Sequence, residues 1–239
     1  MDDPQRLLNF PALLNVRDLG GYPTTDGGRT RWRSLLRADD LSQLTPAGVD
    51  AMVEYGVETV IDLRWAEEIA LNPSPIPGQV SIRYEHVSLL AETAEAWAAI
   101  CRDTRKELWK PLVLQHFRSE LRAVLRLIAS AAAGPVLFHC VSGKDRTGLI
   151  AAVLLAVAQV EPQSIALDYA QSTQQLRDPY LARYRDIDPA EIIERVRCPP
   201  EGAYNMLQYL ADHGGVRAYL KGIGLTDLEI DRLRARLRD

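Results

Sequence analysis

The chemistry in this sequence is concentrated in a loop that begins at Cys140 and ends at Arg146. The residues between them are Val141, Ser142, Gly143, Lys144 and Asp145. A loop of this length can wrap into a semicircle whose backbone N–H groups point inward, and with the N-terminus of a following helix they bind a tetrahedral oxyanion. Arginine binds two oxygens of such an anion at once, which lysine does not. Residues 141–146 are therefore predicted to bind phosphate or a similar oxyanion.

Cys140 is the predicted nucleophile of this loop. The positive field that attracts the anion also favours the thiolate, which is the reactive form of cysteine. Thr147 is expected to donate a hydroxyl hydrogen bond to the sulfur, and Gly143 to let the backbone turn without a Cβ against the ligand. The sequence thus places a catalytic cysteine and an arginine, Arg146, at opposite ends of an anion site.

The elements that hold this loop alternate between strands and helices. Strands are predicted at 58–63, 80–89 and 136–138. The last of them leads directly into the loop. Thr45 and Pro46 predict the start of a helix that ends at Gly56, because they match a helix N-cap and its first position. This alternation predicts an α/β fold with a central, mainly parallel sheet flanked by helices.

The second half of the chain is dominated by predicted helices. Residues 92–133 are expected to form helix in two pieces broken near Pro111, and everything after residue 146 is expected to be helical. The apolar run 149–158 predicts a helix that is buried on all sides. No shift in composition marks a boundary, so residues 1–239 are predicted to form one domain with a helical C-terminal third.

Composition limits the classes of function. The formal charge of −4 and the pI near 5.7 argue against nucleic-acid binding, which normally needs a basic domain. The odd cysteine count (Cys101, Cys140 and Cys198) favours a reducing compartment over a disulfide framework. No basic signal segment and no apolar run of about 20 residues is present, so no membrane span is expected. We expect a cytoplasmic protein, or one exported without a classical signal peptide.

Three segments resemble those of a known family. The sequence from His139 to Gly148, HCVSGKDRTG, resembles the signature loop of the cysteine-dependent protein tyrosine phosphatase superfamily. More narrowly, it resembles the bacterial tyrosine and lipid phosphatases whose loop reads HCxxGKDRTG. Residues 15–21, NVRDLGG, resemble the N-terminal NxRDxGG element of that group, and residues 62–64, DLR, its strand-end element.

The resemblance implies a phosphomonoester hydrolase that needs no metal ion or cofactor. Cys140 attacks phosphorus to form a phosphocysteine, while Arg146 and the loop amides hold the equatorial oxygens. The expected substrates are phosphotyrosine proteins, and also phosphoserine/threonine proteins or phosphoinositides. A carboxylic acid protonates the leaving oxygen and then activates water. The resemblance assigns this role to Asp145, with Asp62 and Asp103 as the alternatives.

Supporting roles follow for residues around the loop. His139 is expected to orient the loop through hydrogen bonds to the backbone. Asp62, if it is not the acid, is a structural partner for Arg64 or Arg17. Arg17 and Asp18, with Asn15, either brace the loop or fix the N-terminal turn. Lys144 either contacts an additional phosphate of an inositol lipid or is a solvated lysine, and Cys101 and Cys198 are expected to be ordinary thiols.

A helical lid is possible at about 178–213. In the resembled group, a helical segment after the loop can cover the site. The aromatic and apolar residues of this segment either line a deep entrance or belong to the ordinary core. They are Tyr180, Tyr184, Met206 and Leu207.

Two other classes of function remain open from the residues. A sulfurtransferase or an arsenate reductase also uses a cysteine in an oxyanion loop, but it needs neither Asp145 nor Thr147 and does not account for the NxRDxGG element. A phosphate-binding module without catalysis usually lacks either the cysteine or the arginine, and here Cys140 and Arg146 are both present.

Overall fold

The computed structural model describes residues 4–79, 81–90 and 109–238. Cys101, Asp103, Val80 and the predicted helix over 92–108 therefore lie outside the described residues. Five strands form one sheet in the order β1-β2-β5-β3-β4. They are β1 (Arg17–Asp18), β2 (Leu35–Ala38), β3 (Thr59–Asp62), β4 (Arg83–His86) and β5 (Val136–His139). β1 pairs antiparallel with β2 and the other pairs are parallel, which confirms the predicted fold class.

Ten α-helices are described around this sheet. They are α1 (Pro46–Tyr55), α2 (Ala66–Leu71), α3 (Trp109–His116), α4 (Arg118–Ser130), α5 (Arg146–Val157), α6 (Pro162–Arg183), α7 (Pro189–Val196), α8 (Glu201–Asp212), α9 (Val216–Gly222) and α10 (Asp227–Leu237). Short 3₁₀ turns lie at Pro4–Arg6 and Leu41–Gln43. None of the described helices combines the length and apolar character that a bilayer span requires.

The sheet is covered on both faces because its central strands are apolar on both. Along β5, Phe138 faces the cluster that includes α5, while Leu137 faces the cluster that includes α1. This period-two alternation with every position buried is typical of an internal parallel strand. α5 packs against α6, α8, α9 and α10, so the prediction of a helix buried on all sides is confirmed.

The register of the central strands creates the edge on which the loop lies. His139, the last residue of β5, is level with Ala38 on β2 and Asp62 on β3. The carboxyl ends of three parallel strands therefore meet at one place. In open α/β sheets this edge is where ligands bind.

Three local predictions are tested by the element boundaries. The Thr45 hydroxyl accepts a hydrogen bond from the Gly48 amide at 3.2 Å, and Gly56 ends α1 with φ +96°, as predicted. The strand predicted over 80–89 is shorter, because only Arg83–His86 pairs with β3. The break predicted near Pro111 lies at Phe117 instead, where the buried ring and a non-helical ψ of 46° separate α3 from α4.

Candidate active site

The loop after β5 is pressed against the end of β2. The Asp40 amide donates to the Val141 carbonyl at 3.0 Å. Gly143 has φ +65°, and a Cβ on it would lie 2.5 Å from the Ala38 carbonyl oxygen. Only glycine fits both the left-handed conformation and this approach, so the tight turn expected at Gly143 is present.

Cys140 and Arg146 lie at the two ends of this loop, as their positions predict. Cys140 is buried after β5, and Arg146 is the first residue of α5. The Arg146 guanidinium makes a two-pronged bond to Glu68 on α2, with Nη1–Oε2 at 2.6 Å and Nη2–Oε1 at 2.8 Å. Burial alone would lower the pKa of Arg146. The hydrogen bond to Glu68 and the charges of Cys140 and Glu68 outweigh burial, so this pKa lies above its usual value. The Arg146 guanidinium is therefore charged, is oriented by Glu68, and interacts electrostatically with Cys140.

Glu68 and Trp65 are functional candidates that the sequence reasoning missed. The Trp65 amide donates to Glu68 Oε2 at 2.8 Å, and the Trp65 ring lies 4.9 Å from the Arg146 guanidinium carbon. A signal was present, because Glu68 stands at the third position of a helix that begins just after the DLR element, where a carboxylate caps its own helix.

Lys144 and Asp145 form an ion pair on the loop. Lys144 Nζ lies 2.7 Å from Asp145 Oδ2. Lys144 is buried, so the solvated-lysine alternative is wrong. Burial raises the pKa of Asp145, but the charge and hydrogen bond of Lys144 and the charges of Lys110 and Arg146 hold it below its usual value. The Asp145 carboxyl is therefore ionised in the free protein.

Asp62 is held from several sides at the end of β3. Arg64 donates to it from Nη2 at 2.7 Å and from Nε at 3.0 Å, and the Tyr84 hydroxyl donates at 2.8 Å. Burial opposes its charge, but His139 and Arg64 hold the pKa of Asp62 far below its usual range. Asp62 is a partner of Arg64, and the alternative pairing with Arg17 is wrong.

His139 links the strand end to the loop. Its Nε2 lies 3.4 Å from Asp62 Oδ2, and its Nδ1 lies 3.3 Å from the Cys140 carbonyl oxygen. Nε2 makes no hydrogen bond among the described residues, so the ring lies near the carboxylate on one side and contacts the loop backbone on the other.

Behind the loop, two side chains bind its carbonyl groups. Asn15 Nδ2 donates to the Ser142 carbonyl at 2.9 Å, and Arg37 Nη2 donates to the Gly143 carbonyl at 2.6 Å. Arg17 Nη1 donates to Asn15 Oδ1 at 2.6 Å. Asn15 contacts the loop directly and Arg17 holds Asn15, which matches the bracing role of the two alternatives.

One carboxylate joins these arginines to α6. Asp168 accepts from Arg17 Nε at 2.8 Å, from the Tyr22 hydroxyl at 2.9 Å and from Arg37 Nη1. Burial opposes its charge, but the two arginines hold the pKa of Asp168 far below its usual range. Asp168 and Arg37 were missed by sequence reasoning. The spacing of Asp168 and Ser172 on an otherwise apolar helix face is the signal that points to buried polar contacts.

Asp18 takes the second of its two expected roles, and Thr147 does not make its expected bond. Asp18 accepts from the Gly20 and Arg33 amides, each at 2.7 Å, and from the Tyr55 hydroxyl at 2.6 Å, so it fixes the N-terminal turn and does not brace the loop. The Thr147 hydroxyl oxygen is buried and has no hydrogen-bond partner among the described residues. The expected bond from Thr147 to the sulfur is therefore not made.

The segment at about 178–213, for which a lid and ordinary core are the two alternatives, divides into two parts. The Tyr180 ring lies 5.4 Å from that of Tyr184, and both are half-buried. Burial raises the pKa of Tyr180 above its usual value. Met206 is buried in the core and Leu207 packs against it.

The remaining titratable and thiol groups near the loop are buried. Asp39 accepts from the Leu14 and Asn15 amides at 3.1 and 3.0 Å, and burial raises its pKa to about 6. Cys198 is a buried free thiol whose pKa is raised by burial, as expected of an ordinary cysteine. In the described ranges, no group of three or more His, Cys, Asp or Glu side chains is placed to hold a metal ion.

A mostly parallel α/β sheet whose central strand leads into a Cys-to-Arg loop at a helix start is the arrangement expected of a cysteine-dependent phosphatase. The chain belongs to the tyrosine phosphatase family, whose sequence model matches residues 8–239. It is 33% identical over 217 residues to a tyrosine-protein phosphatase of Nostoc commune, covering 85% of this chain and 74% of that one.

Two further relatives extend over nearly the whole chain. A putative tyrosine-protein phosphatase of Cupriavidus necator is 27% identical, covering 94% of this chain and 85% of its own length. The triple specificity protein phosphatase PtpB of Mycobacterium tuberculosis is 25% identical, covering 94% and 96%. The sulfurtransferase, arsenate reductase and non-catalytic alternatives gain no support from these comparisons.

Solved structures of TpbA from P. aeruginosa are also similar. One is 22% identical, with a TM-score of 0.37, and covers 69% of this chain and 86% of that chain. A second, in complex with pTyr, is 21% identical with the same TM-score of 0.37.

Proposed function

We propose that this phosphatase hydrolyses phosphomonoesters through a phosphocysteine at Cys140, with phosphotyrosine proteins as its main substrates. The observation that carries the proposal is the pairing of the buried Cys140 with Arg146, whose guanidinium Glu68 fixes before any ligand binds. Such preorganised charge stabilises a transition state without reorganisation at the moment of reaction. The names of the relatives support the substrate class.

In the first step, the Cys140 thiolate attacks phosphorus and the bond from phosphorus to the ester oxygen breaks. Arg146 and the loop N–H groups hold the three non-bridging oxygens, whose charge and geometry they match best in the transition state. Behind the loop, Arg17 and Arg37 share the one carboxylate of Asp168, which leaves an excess positive charge in that cluster. This excess suits a phosphomonoester dianion.

Asp145 is the proposed acid that protonates the leaving oxygen. In the free protein its bond to Lys144 keeps the carboxyl ionised. A bound dianion both attracts Lys144 and opposes the negative charge on Asp145, so the pKa of this carboxyl rises when substrate binds. In the second step the carboxylate accepts a proton from water, water attacks phosphorus, and the bond from phosphorus to sulfur breaks to release phosphate.

Phosphoserine, phosphothreonine and phosphoinositides are proposed as additional substrates. The triple specificity phosphatase of Mycobacterium tuberculosis supports a broad range in a relative that matches almost the full chain. Lys144 is the proposed contact for an additional phosphate, since its partner Asp145 is partly exposed and can release it. Tyr180 at the edge of the loop is the proposed contact for an aromatic leaving group.

The proposal is tested by trapping the intermediate. Acid quenching during turnover of a phosphotyrosine peptide, followed by mass spectrometry, is expected to find phosphate on the peptide that contains Cys140. Cys140→Ser should abolish turnover and keep vanadate or phosphate binding, and Cys198→Ser, a buried cysteine outside the loop, is the matched control. Turnover by Cys140→Ser within tenfold of wild type would contradict the proposal. Phosphoserine peptides and phosphoinositide vesicles in the same assay rank the substrate classes.

A further inference from the structure

Three consecutive carbonyl groups of the active loop, those of Val141, Ser142 and Gly143, are each bound from outside the loop. The first accepts a hydrogen bond from a backbone amide just after β2 at 3.0 Å. The Asn15 side chain donates to the Ser142 carbonyl at 2.9 Å, and the Arg37 guanidinium donates to the Gly143 carbonyl at 2.6 Å. The sheet edge and the N-terminal segment therefore orient three peptide units of the loop.

A bond that fixes a carbonyl group also fixes the amide of the next residue. In a trans peptide unit the C=O and the following N–H point in opposite directions, and the loop has no cis peptide bond. The amides of Ser142, Gly143 and Lys144 therefore point away from the donors behind the loop. None of the three donates to an acceptor among the described residues, although backbone N–H groups of folded proteins are almost always paired. They are available to bind the oxygens of an anion.

The peptide unit between Gly143 and Lys144 is the one that most needs an external bond. Its rotation changes ψ of a glycine, and glycine tolerates a wide range of backbone conformations. The Arg37 guanidinium opposes this rotation. It is fully buried and bonded to Asp168 through Nη1, which aims Nη2 at the Gly143 carbonyl.

Arg37 is not needed to balance the charge of Asp168. Arg17 Nε already donates to that carboxylate at 2.8 Å, and the Tyr22 hydroxyl donates at 2.9 Å. Arg37 adds a second buried positive charge, and its Nε has no acceptor among the described residues. Burial of an excess charge is unfavourable, so the bond to the loop is the contribution that distinguishes this arginine.

We propose that Arg37 is a positioning residue, which holds the Gly143 carbonyl behind the loop and thereby keeps the Lys144 amide turned toward the phosphoryl oxygens. The proposal rests on the proposed function, in which the loop amides bind the phosphoryl group. Arg37 acts through one peptide unit and from the side of the loop opposite to these amides. By the same geometry, Asn15 orients the Gly143 amide.

A titration with inorganic phosphate, followed by NMR of the loop amides, tests this assignment residue by residue. In the wild type, the amide protons of residues 142–144 should move downfield, because each forms a hydrogen bond to the anion. At saturation, Arg37→Met should lose the shift of the Lys144 amide and keep that of the Gly143 amide. Asn15→Leu should show the reverse pattern, which a general loosening of the structure would not produce.

Kinetics separate this role from proton donation. Loss of one preorganised oxyanion donor lowers kcat substantially, and for Arg37→Met we expect a fall of roughly 10²-fold. The factor should be the same for phenyl phosphate and nitrophenyl phosphate, because both present the same phosphoryl oxygens. KM should change less than kcat, since the amides match the transition state best. Arg177→Met, which removes an exposed arginine paired with Asp178, should keep wild-type kinetics and amide shifts.

The variants at Arg37 are expected to fold, because Arg37→Met leaves Asp168 paired with Arg17. Arg37→Lys, which lacks the fork that reaches both Asp168 and the loop, provides the same comparison where the Met variant does not fold. A Lys144 amide that still shifts in a folded Arg37 variant overturns the proposal. If phosphate shifts no loop amide in the wild type, the anion site assigned under the proposed function is wrong, and the role of Arg37 falls with it.

Discussion

The carboxylates behind the loop and the carboxylate on the loop differ in their hydrogen bonding and in their burial. Behind the loop, Asp62 and Asp168 each accept hydrogen bonds from at least three side-chain donors and are almost completely buried. On the loop, Asp145 has one bond, to Lys144, and its side chain is 37% exposed. A group that must gain and lose a proton needs a partner that can leave. The contrast supports the proposal that Asp145 is the carboxylate that reacts, while Asp62 and Asp168 hold the site together.

Among substitutions of the rear carboxylates, Asp168→Asn is expected to destabilise the protein most. It leaves Arg17 and Arg37 buried without their shared carboxylate, so we expect the free energy of unfolding to fall by about 3–5 kcal/mol. Urea unfolding followed by circular dichroism measures the loss. The control is Asp178→Asn on the same helix, because its pair with Arg177 is exposed and should contribute little. A loss below about 1 kcal/mol for Asp168→Asn would mean that the rear network does not anchor the loop.

Asp62→Asn is expected to cost less, because Arg64 keeps a bond to Asp40 at 2.8 Å. We expect a loss of about 1–3 kcal/mol at pH 7. Since the folded pKa of Asp62 is depressed, its contribution is complete above the unfolded value near 3.8 and is lost as pH falls below that value. Unfolding measured from pH 7 to pH 3 should therefore show the wild type and the variant converging in acid. A constant difference would show that the charge of Asp62 is not what stabilises the strand end.

Tyr84→Phe removes one donor from Asp62 and leaves the others in place. We expect a loss of about 0.5–1.5 kcal/mol, the net value of one hydrogen bond. Tyr204→Phe, at an exposed tyrosine, is the control for loss of a hydroxyl. Differential scanning calorimetry of the two variants measures the difference, and equal melting temperatures would show that Asp62 does not depend on Tyr84.

The parts of the site that the sequence predicts are local. β5, the loop and α5 follow one another without a gap, so an apolar strand, a glycine turn and an apolar helix identify them together. Helix α1 is equally local, because Thr45 and Gly56 define its ends. Family membership, predicted from the HCVSGKDRTG segment, is confirmed, while the narrower subgroup stays a prediction.

The missed residues act over long sequence separations. Glu68 bonds Arg146 across 78 positions, and Asp168 bonds Arg17 across 151. These pairs depend on how the sheet is ordered and which helix covers it, and no local pattern carries that information. The same reason explains Asp18, whose partners Arg33 and Tyr55 lie on segments that the fold alone brings together.

The most direct test compares Asp145→Asn with Asp62→Asn on leaving groups of different pKa. Proton donation matters most for a basic leaving group, so Asp145→Asn should slow phenyl phosphate hydrolysis by roughly 10²–10⁴ and nitrophenyl phosphate hydrolysis much less. Asp62→Asn should keep the leaving-group dependence of the wild type, because its carboxylate is already hydrogen-bonded by Arg64 and Tyr84. If Asp62→Asn alone gains a steep dependence on the leaving group, the acid lies at the strand end and the assignment to Asp145 is contradicted.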